Sequence, residues 1–244
     1  MHATGRQSPT GTTPLIEAFA SRDAATRRDA CARAVTDPSA VVWCDRLAER
    51  LSDPSDAVRD AASRALVAIG RDHDVAPLLK RVLRQRDRSG RWAAARALAR
   101  LGPPSLLLLP TAVETFGSLR SSERWEAAHL VVDLGRSEPE VADLLRGLAQ
   151  SGEPSTRRMA CFCLRELTPG DPRSHSVLLA TAQDPDPELR RAAYTALAGL
   201  LDPAPALLEA LEQAERRETS PACRDQATRA LRELTRRVTQ PPRA

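Results

Sequence analysis

The segment RDAASRAL, beginning at Arg59, recurs along the chain as RDACARAV at Arg28, RWAAARAL at Arg91, RWEAAHLV at Arg124, RRMACFCL at Arg157, RRAAYTAL at Arg190 and RDQATRAL at Arg224. The spacings between these anchor arginines are 31, 32, 33, 33, 33 and 34 residues, and the seven copies account for nearly everything from residue 14 to residue 238. A near-constant period in the low thirties restricts the fold more than any other feature. Each copy is too short to bury a core alone, so the copies must stack on one another.

Each copy reads as two helices. The second starts near the anchor arginine, and in the second copy Val58, Ala61, Ala62, Ala65, Leu66 and Ile69 fall on one helical face. The first helix lies upstream and is often opened by proline at a tolerated early position, as at Pro14, Pro77, Pro110, Pro139 and Pro203 or Pro205. Polar turns such as LSDPSD (Leu51 to Asp56) join the two, and Gly70, Gly102 and Gly135 are expected as left-handed C-terminal caps. Composition agrees: Ala and Leu supply 73 of 244 residues, whereas Phe, Trp and Tyr together supply 7 and Ile supplies 2. The expected fold class is all-α, a right-handed α-α superhelix of about seven helix pairs. It would form one array over 14–238 between flexible tails at 1–13 and 239–244.

The stretches LSDPSDAVRDAASRALVAIG (Leu51 to Gly70) and QDPDPELRRAAYTALAGL (Gln183 to Leu200) resemble HEAT repeats, in particular the short bacterial kind. That resemblance implies a hydrogen-bonded ladder in which a turn aspartate works with an arginine six residues on. Asp53 with Arg59 and Asp184 with Arg190 match this spacing, and Glu218 with Arg224 comes near it. The remaining copies put Arg22, Gln85, Ser118 and Ser151 in the acid's place. Cys31, Cys161, Cys163 and Cys223 stand where other copies have Ala, Ser or Val, so they read as small core fillers. Five cysteines without paired spacing indicate neither a disulfide framework nor a zinc site.

In such a stack the second helices line the concave side, where extended partners bind. Residues one, five and eight positions after each anchor face that side. In the central copies they include Trp92, Arg96, Trp125, His129, Arg158, Phe162, Arg165 and Arg191, with Tyr194 beside them. Trp and Arg dominate binding hot spots, so these eight residues are the expected partner-binding set.

Catalytic readings find less support. HEAT-like deoxyhypusine hydroxylases bind iron through adjacent His-Glu pairs, and here the histidines are His2, His73, His129 and His175 with no such pair. His73 and His175 are expected in loops. HEAT-like alkylpurine DNA glycosylases carry a carboxylate one turn after a groove tryptophan. Here Arg96 follows Trp92, His129 follows Trp125, and Asp133 lies a further turn on. Similarity to bilin lyases would imply a tetrapyrrole whose propionates pair with groove arginines under Trp and Phe. Glu209, Glu212, Glu215 and Glu218 read as a solvated helical edge. The longest apolar run, Leu101 to Val113, has 13 residues with three prolines, short of the roughly 20 a membrane helix needs.

The function expected is thus a non-catalytic scaffold or adaptor in the cytoplasm, with no cofactor and no metal. It would hold an acidic or carboxylate-bearing protein segment. Nucleic-acid binding through the same basic groove is the alternative, and a bilin-lyase-like attachment helper is the second. The net charge of +4 is too mild to decide between protein and nucleic acid.

Overall fold

Helices begin where a short acidic side chain can accept from a free backbone amide. Asp23 accepts from the Thr26 N–H, Asp87 from Gly90, Asp171 from Arg173 and Asp186 from Glu188. Proline serves at other starts, capping at Pro14 and Pro139 and occupying the first or second helical position at Pro77, Pro110, Pro154 and Pro205. The computed structural model describes residues 14–201 and 203–239. Of the tails expected at 1–13 and 239–244, residues 1–13 and 240–244 lie outside the described residues, and Thr239 closes the last helix.

Among the described residues there are fourteen α-helices and no strand. In chain order they are α1 (Leu15–Ala20), α2 (Ala24–Thr36), α3 (Cys44–Arg50), α4 (Asp56–Ile69), α5 (Ala76–Val82), α6 (Arg88–Leu101) and α7 (Leu109–Thr115). They continue as α8 (Ser121–Ser137), α9 (Glu140–Ser151), α10 (Pro154–Leu167), α11 (Pro172–Thr181), α12 (Pro187–Leu197), α13 (Pro205–Arg217) and α14 (Pro221–Thr239). Short 3-10 turns at Ala40–Trp43 and Leu106–Leu108 lead into α3 and α7.

The chain forms two compact units, one ending at Pro103 and the other beginning at Pro104. In the first, α1 packs on α2, α3 on α4 and α5 on α6, while the second helices α2, α4 and α6 stack in sequence. In the second unit α7 to α14 pair in the same way, with α8, α10, α12 and α14 as one layer and α9, α11 and α13 as the other.

The side chains three, four and seven residues after an anchor arginine make the centre of the second-helix layer. They are Ala62, Ser63 and Leu66 in α4, Ala127, Ala128 and Val131 in α8, Ala160, Cys161 and Leu164 in α10, and Ala193, Tyr194 and Leu197 in α12, all buried. In α2 the residues with this pattern are Ala30, Cys31 and Ala34, which makes the anchor Arg27 and not Arg28. The first spacing is therefore 32, and the residue six before the anchor is Ser21, not Arg22. The sequence has two adjacent arginines there, and burial selects between them. All five cysteines are buried. Burial pushes Cys31 up to about 11 and Cys161 up to about 12, so these thiols stay protonated.

The glycines do not act as left-handed caps. Gly70 ends α4 with φ of −67°, Gly102 is extended at −167°, and Gly135 lies inside α8. Gly70 answers a different need, close approach: a Cβ there would stand 2.7 Å from Val75 Cγ2 and 2.9 Å from the Leu66 carbonyl oxygen.

Candidate functional site: a Trp/Phe/Arg cleft on α8, α10 and α12

The anchor arginines form a ladder with two kinds of rung. Within a copy, the guanidinium donates to the backbone carbonyl six residues before it: Arg27 to Ser21 (2.9 Å), Arg59 to Asp53 (2.7 Å), Arg91 to Gln85 (2.7 Å), Arg124 to Ser118 (2.6 Å), Arg190 to Asp184 (2.9 Å) and Arg224 to Glu218 (3.1 Å). Arg157 donates instead to the Ala149 carbonyl at 2.9 Å. The turn carboxylate is used by the arginine of the copy before. Arg27 holds both Asp53 oxygens at 2.7 and 2.8 Å, Arg157 reaches Asp184 at 2.6 Å, and Arg190 holds both Glu218 oxygens at 2.9 and 2.8 Å. Asp53 and Arg59 thus meet through a backbone carbonyl, and so do Asp184 and Arg190. Burial alone would raise Asp53, yet the Arg27 bonds and the Ser55 amide hold it below its ordinary value.

Glu218 is not on a solvated edge: it is buried, and Arg190 draws its carboxyl down to about 2. Tyr194 is also inside, with its hydroxyl 3.3 Å from both the Ala182 carbonyl and Glu218. These two residues lie at a cavity of about 370 Å³ between α12 and α13, where the polar side chains of the ladder already have partners. His175 sits in α11, not in a loop, and is buried with Nε2 2.8 Å from the Pro169 carbonyl. His73 is exposed after α4, and His2 is outside the described residues.

The expected partner-binding residues divide between the two units. Trp92 and Arg96 are on α6. Trp92 is only 4% exposed, which corrects the expectation of an open anchor: a large apolar ring beside Ala-rich helices lies down among them and leaves water. Arg96 bonds to Asp60 on α4. In the other unit, Trp125, Arg158, Phe162, Arg165 and Arg191 line one cleft of about 570 Å³, together with Arg124, Met159, Glu188 and Gln226. His129 stands beside it, its ring 5.7 Å from Phe162 and its Nδ1 2.7 Å from the Trp125 carbonyl.

The aromatic pair gives the cleft its shape. Trp125 meets Phe162 edge to face, with centroids 4.7 Å apart and planes at 87°, and Trp125 remains 46% exposed. The Arg165 guanidinium carbon lies 5.1 Å from the Phe162 centroid, in cation–π range. Two of the arginines are neutralised within the site, Arg165 by Glu166 at 2.8 Å and Arg191 by Glu188 at 2.6 Å. Arg158 makes no hydrogen bond or ion pair among the described residues. Spacing alone did not find Arg124, which reads as a ladder anchor. Its signal is the serine at position 151, where the next copy lacks an acid. Among the described residues no group of three or more His, Cys, Asp or Glu is arranged as a metal site, and no helix is long and apolar enough to cross a membrane.

A family model described as HEAT repeats matches residues 12–99, 44–126 and 141–232. No curated protein matches the chain at a significant level. Among solved structures it is similar to human deoxyhypusine hydroxylase in complex with glycerol, at 19% identity over 91% of this chain and 96% of that one with a TM-score of 0.40. It is similar to a designed armadillo repeat protein in complex with the peptide (KR)4, at 14% identity over 90% and 98% with a TM-score of 0.39. It is also similar to the complex of CpcE and CpcF of phycocyanin lyase from Nostoc, at 21% identity over 96% and 98% with a TM-score of 0.38. At these scores the structural likenesses carry no argument about activity. The paired helices, the arginine ladder and three family matches spanning most of the sequence lead to one conclusion: the chain belongs to the HEAT-repeat family.

Proposed function

We propose that this protein is a non-catalytic scaffold that holds a segment of a partner protein in the cleft of α8, α10 and α12. The observation that carries this reading is Trp125, nearly half exposed, packed edge to face against Phe162 and flanked by arginines in one cleft. Exposed aromatic surface next to guanidinium groups is the composition of a binding hot spot. The site set is Trp125, His129, Arg158, Phe162, Arg165 and Arg191, and Trp92 and Arg96 leave it. Three neighbouring helices packed at roughly 10 Å centre to centre span about 20 Å, the length of about six residues of extended chain. Five cysteines without a disulfide accord with a reducing cytoplasm.

Glu188 favours protein over nucleic acid as the occupant, because it lines the cleft and sets negative charge among its arginines, where a phosphate backbone would run. The test is a pull-down from native lysate with and without nuclease, using the wild type, Trp125→Ala and Phe162→Ala after circular dichroism shows all three folded. A discrete protein that survives nuclease and is lost with both variants supports the scaffold. Material that disappears with nuclease assigns the cleft to nucleic acid, and equal recovery by all three proteins removes the cleft from consideration.

A further inference from the structure

The four arginines of the cleft are not equivalent. Arg165 and Arg191 are each bonded to a glutamate, so charge cancels locally around them. Arg124 and Arg158 have no carboxylate partner among the described residues: Arg124 donates to the Ser118 carbonyl, and Arg158 makes no polar bond at all. The cause for Arg124 is visible in the repeat. Arg27, Arg157 and Arg190 each hold a carboxylate of the next copy, supplied by Asp53, Asp184 and Glu218. The residue in that place after Arg124 is Ser151, which has no charge to offer. One missing rung therefore leaves a second uncompensated guanidinium at the cleft, beside Trp125.

We infer that the cleft reads a peptide segment carrying two carboxylates around one bulky apolar side chain, with Arg124 and Arg158 each taking one carboxylate and the Trp125–Phe162 corner taking the apolar group. This rests on the cleft being the binding site. It follows from charge complementarity, since an arginine offers a carboxylate two parallel N–H···O bonds and only these two guanidiniums are not already held by an acid. It also divides the labour within the cleft. Arg165 and Arg191, held by Glu166 and Glu188, shape the walls and add no net charge.

The test is selection of a displayed library of random dodecapeptides on the whole protein, with counter-selection on Trp125→Ala. Enriched peptides carrying two Asp or Glu residues around a Trp, Phe, Leu or Ile are the expected result. For a synthetic peptide of that sequence, Arg124→Gln or Arg158→Gln should each weaken binding about tenfold, and Glu-to-Gln changes in the peptide should do the same. Arg28→Gln, an exposed arginine of the other unit and outside the cleft, should change binding less than twofold. Arg158→Gln is the decisive variant, because Arg158 makes no polar bond among the described residues. Peptides that depend on Trp125 but bind equally well with Gln in place of Glu would overturn the charge assignment and leave the cleft standing. A phosphoserine version binding more than tenfold tighter would overturn the carboxylate assignment. Enrichment of no peptide that requires Trp125 would overturn both this inference and the scaffold reading.

Discussion

Arg190 grips Glu218 of the following copy, 28 positions along the chain, through hydrogen bonds of 2.9 and 2.8 Å. The same carboxylate accepts from the Ser220 amide at 2.9 Å, and its side chain is 2% exposed. Arg190 is the main reason its pKa falls to about 2 from an ordinary 4.5. A carboxyl depressed by folding stabilises the native state at pH values above its unfolded pKa. That contribution fades as the pH drops from about 4.5 to about 2, and in full it amounts to about 3 kcal/mol. Glu218→Gln should therefore lose about 2–3 kcal/mol at pH 7 and should flatten the acid limb of the stability profile. Urea titrations at pH 7, 4 and 3 check this, and a variant as acid-sensitive as the wild type would show that Glu218 is not the group responsible.

Arg27 and Arg28 are adjacent in sequence and differ in consequence. Arg27 neutralises the Asp53 side chain, which is 0% exposed, whereas Arg28 is exposed. Arg27→Ala should cost about 2–3 kcal/mol because it removes both short bonds to a buried carboxylate and leaves it only Arg50 at 3.6 Å and the Ser55 amide, and Arg28→Ala should stay within about 0.5 kcal/mol. Thermal unfolding followed by circular dichroism ranks the two. The reverse ranking would restore the anchor to Arg28.

Trp92 and Trp125 follow their anchors by one residue in successive copies, yet one is covered and the other open. Trp92→Ala should lower stability by about 3 kcal/mol through the cavity it leaves, and Trp125→Ala by less than about 1 kcal/mol. Acrylamide quenching adds an independent readout. Loss of Trp125 should remove the most accessible component of the emission, and loss of Trp92 should leave it in place.

Two glycines separate crowding from entropy. Ala at Gly70 would drive a methyl group against the fixed Leu66 carbonyl and should destabilise by about 1–3 kcal/mol. Gly102 has an extended backbone and no atom within 4 Å of a built Cβ, so Ala there should add about 0.4–1 kcal/mol by narrowing the unfolded ensemble. Differential scanning calorimetry should move the two midpoints in opposite directions.

The helix pairs were legible because the period and the Ala-rich stripes depend on local spacing. Other features depend on what lies across the stack. RDACARAV and RWAAARAL align equally well by letter with an arginine first, and only the burial of Ala30, Cys31 and Ala34 shows that the first copy starts at Arg27. Glu218 looks like the end of an acidic edge until Arg190 arrives from the copy before. Trp92 and Trp125 share a repeat position, so their different exposure is set by neighbours on other helices. In the cleft, five of the eight expected residues come together with His129 beside them, whereas Arg124 is recognised only from the acid that the next copy lacks.

The arginine doublets at 27–28, 157–158 and 190–191 each split two like residues by one helical step of about 100°. The first residue of each is bonded to the next copy, and the second is turned away from that bond. Mutation therefore meets two different constraints in neighbouring codons. A change in the first arginine is paid in folded protein, whatever the ligand. A change in the second is expected to cost little stability and to act on what the surface prefers, so the second positions are where variation can explore new partners at least cost to the fold.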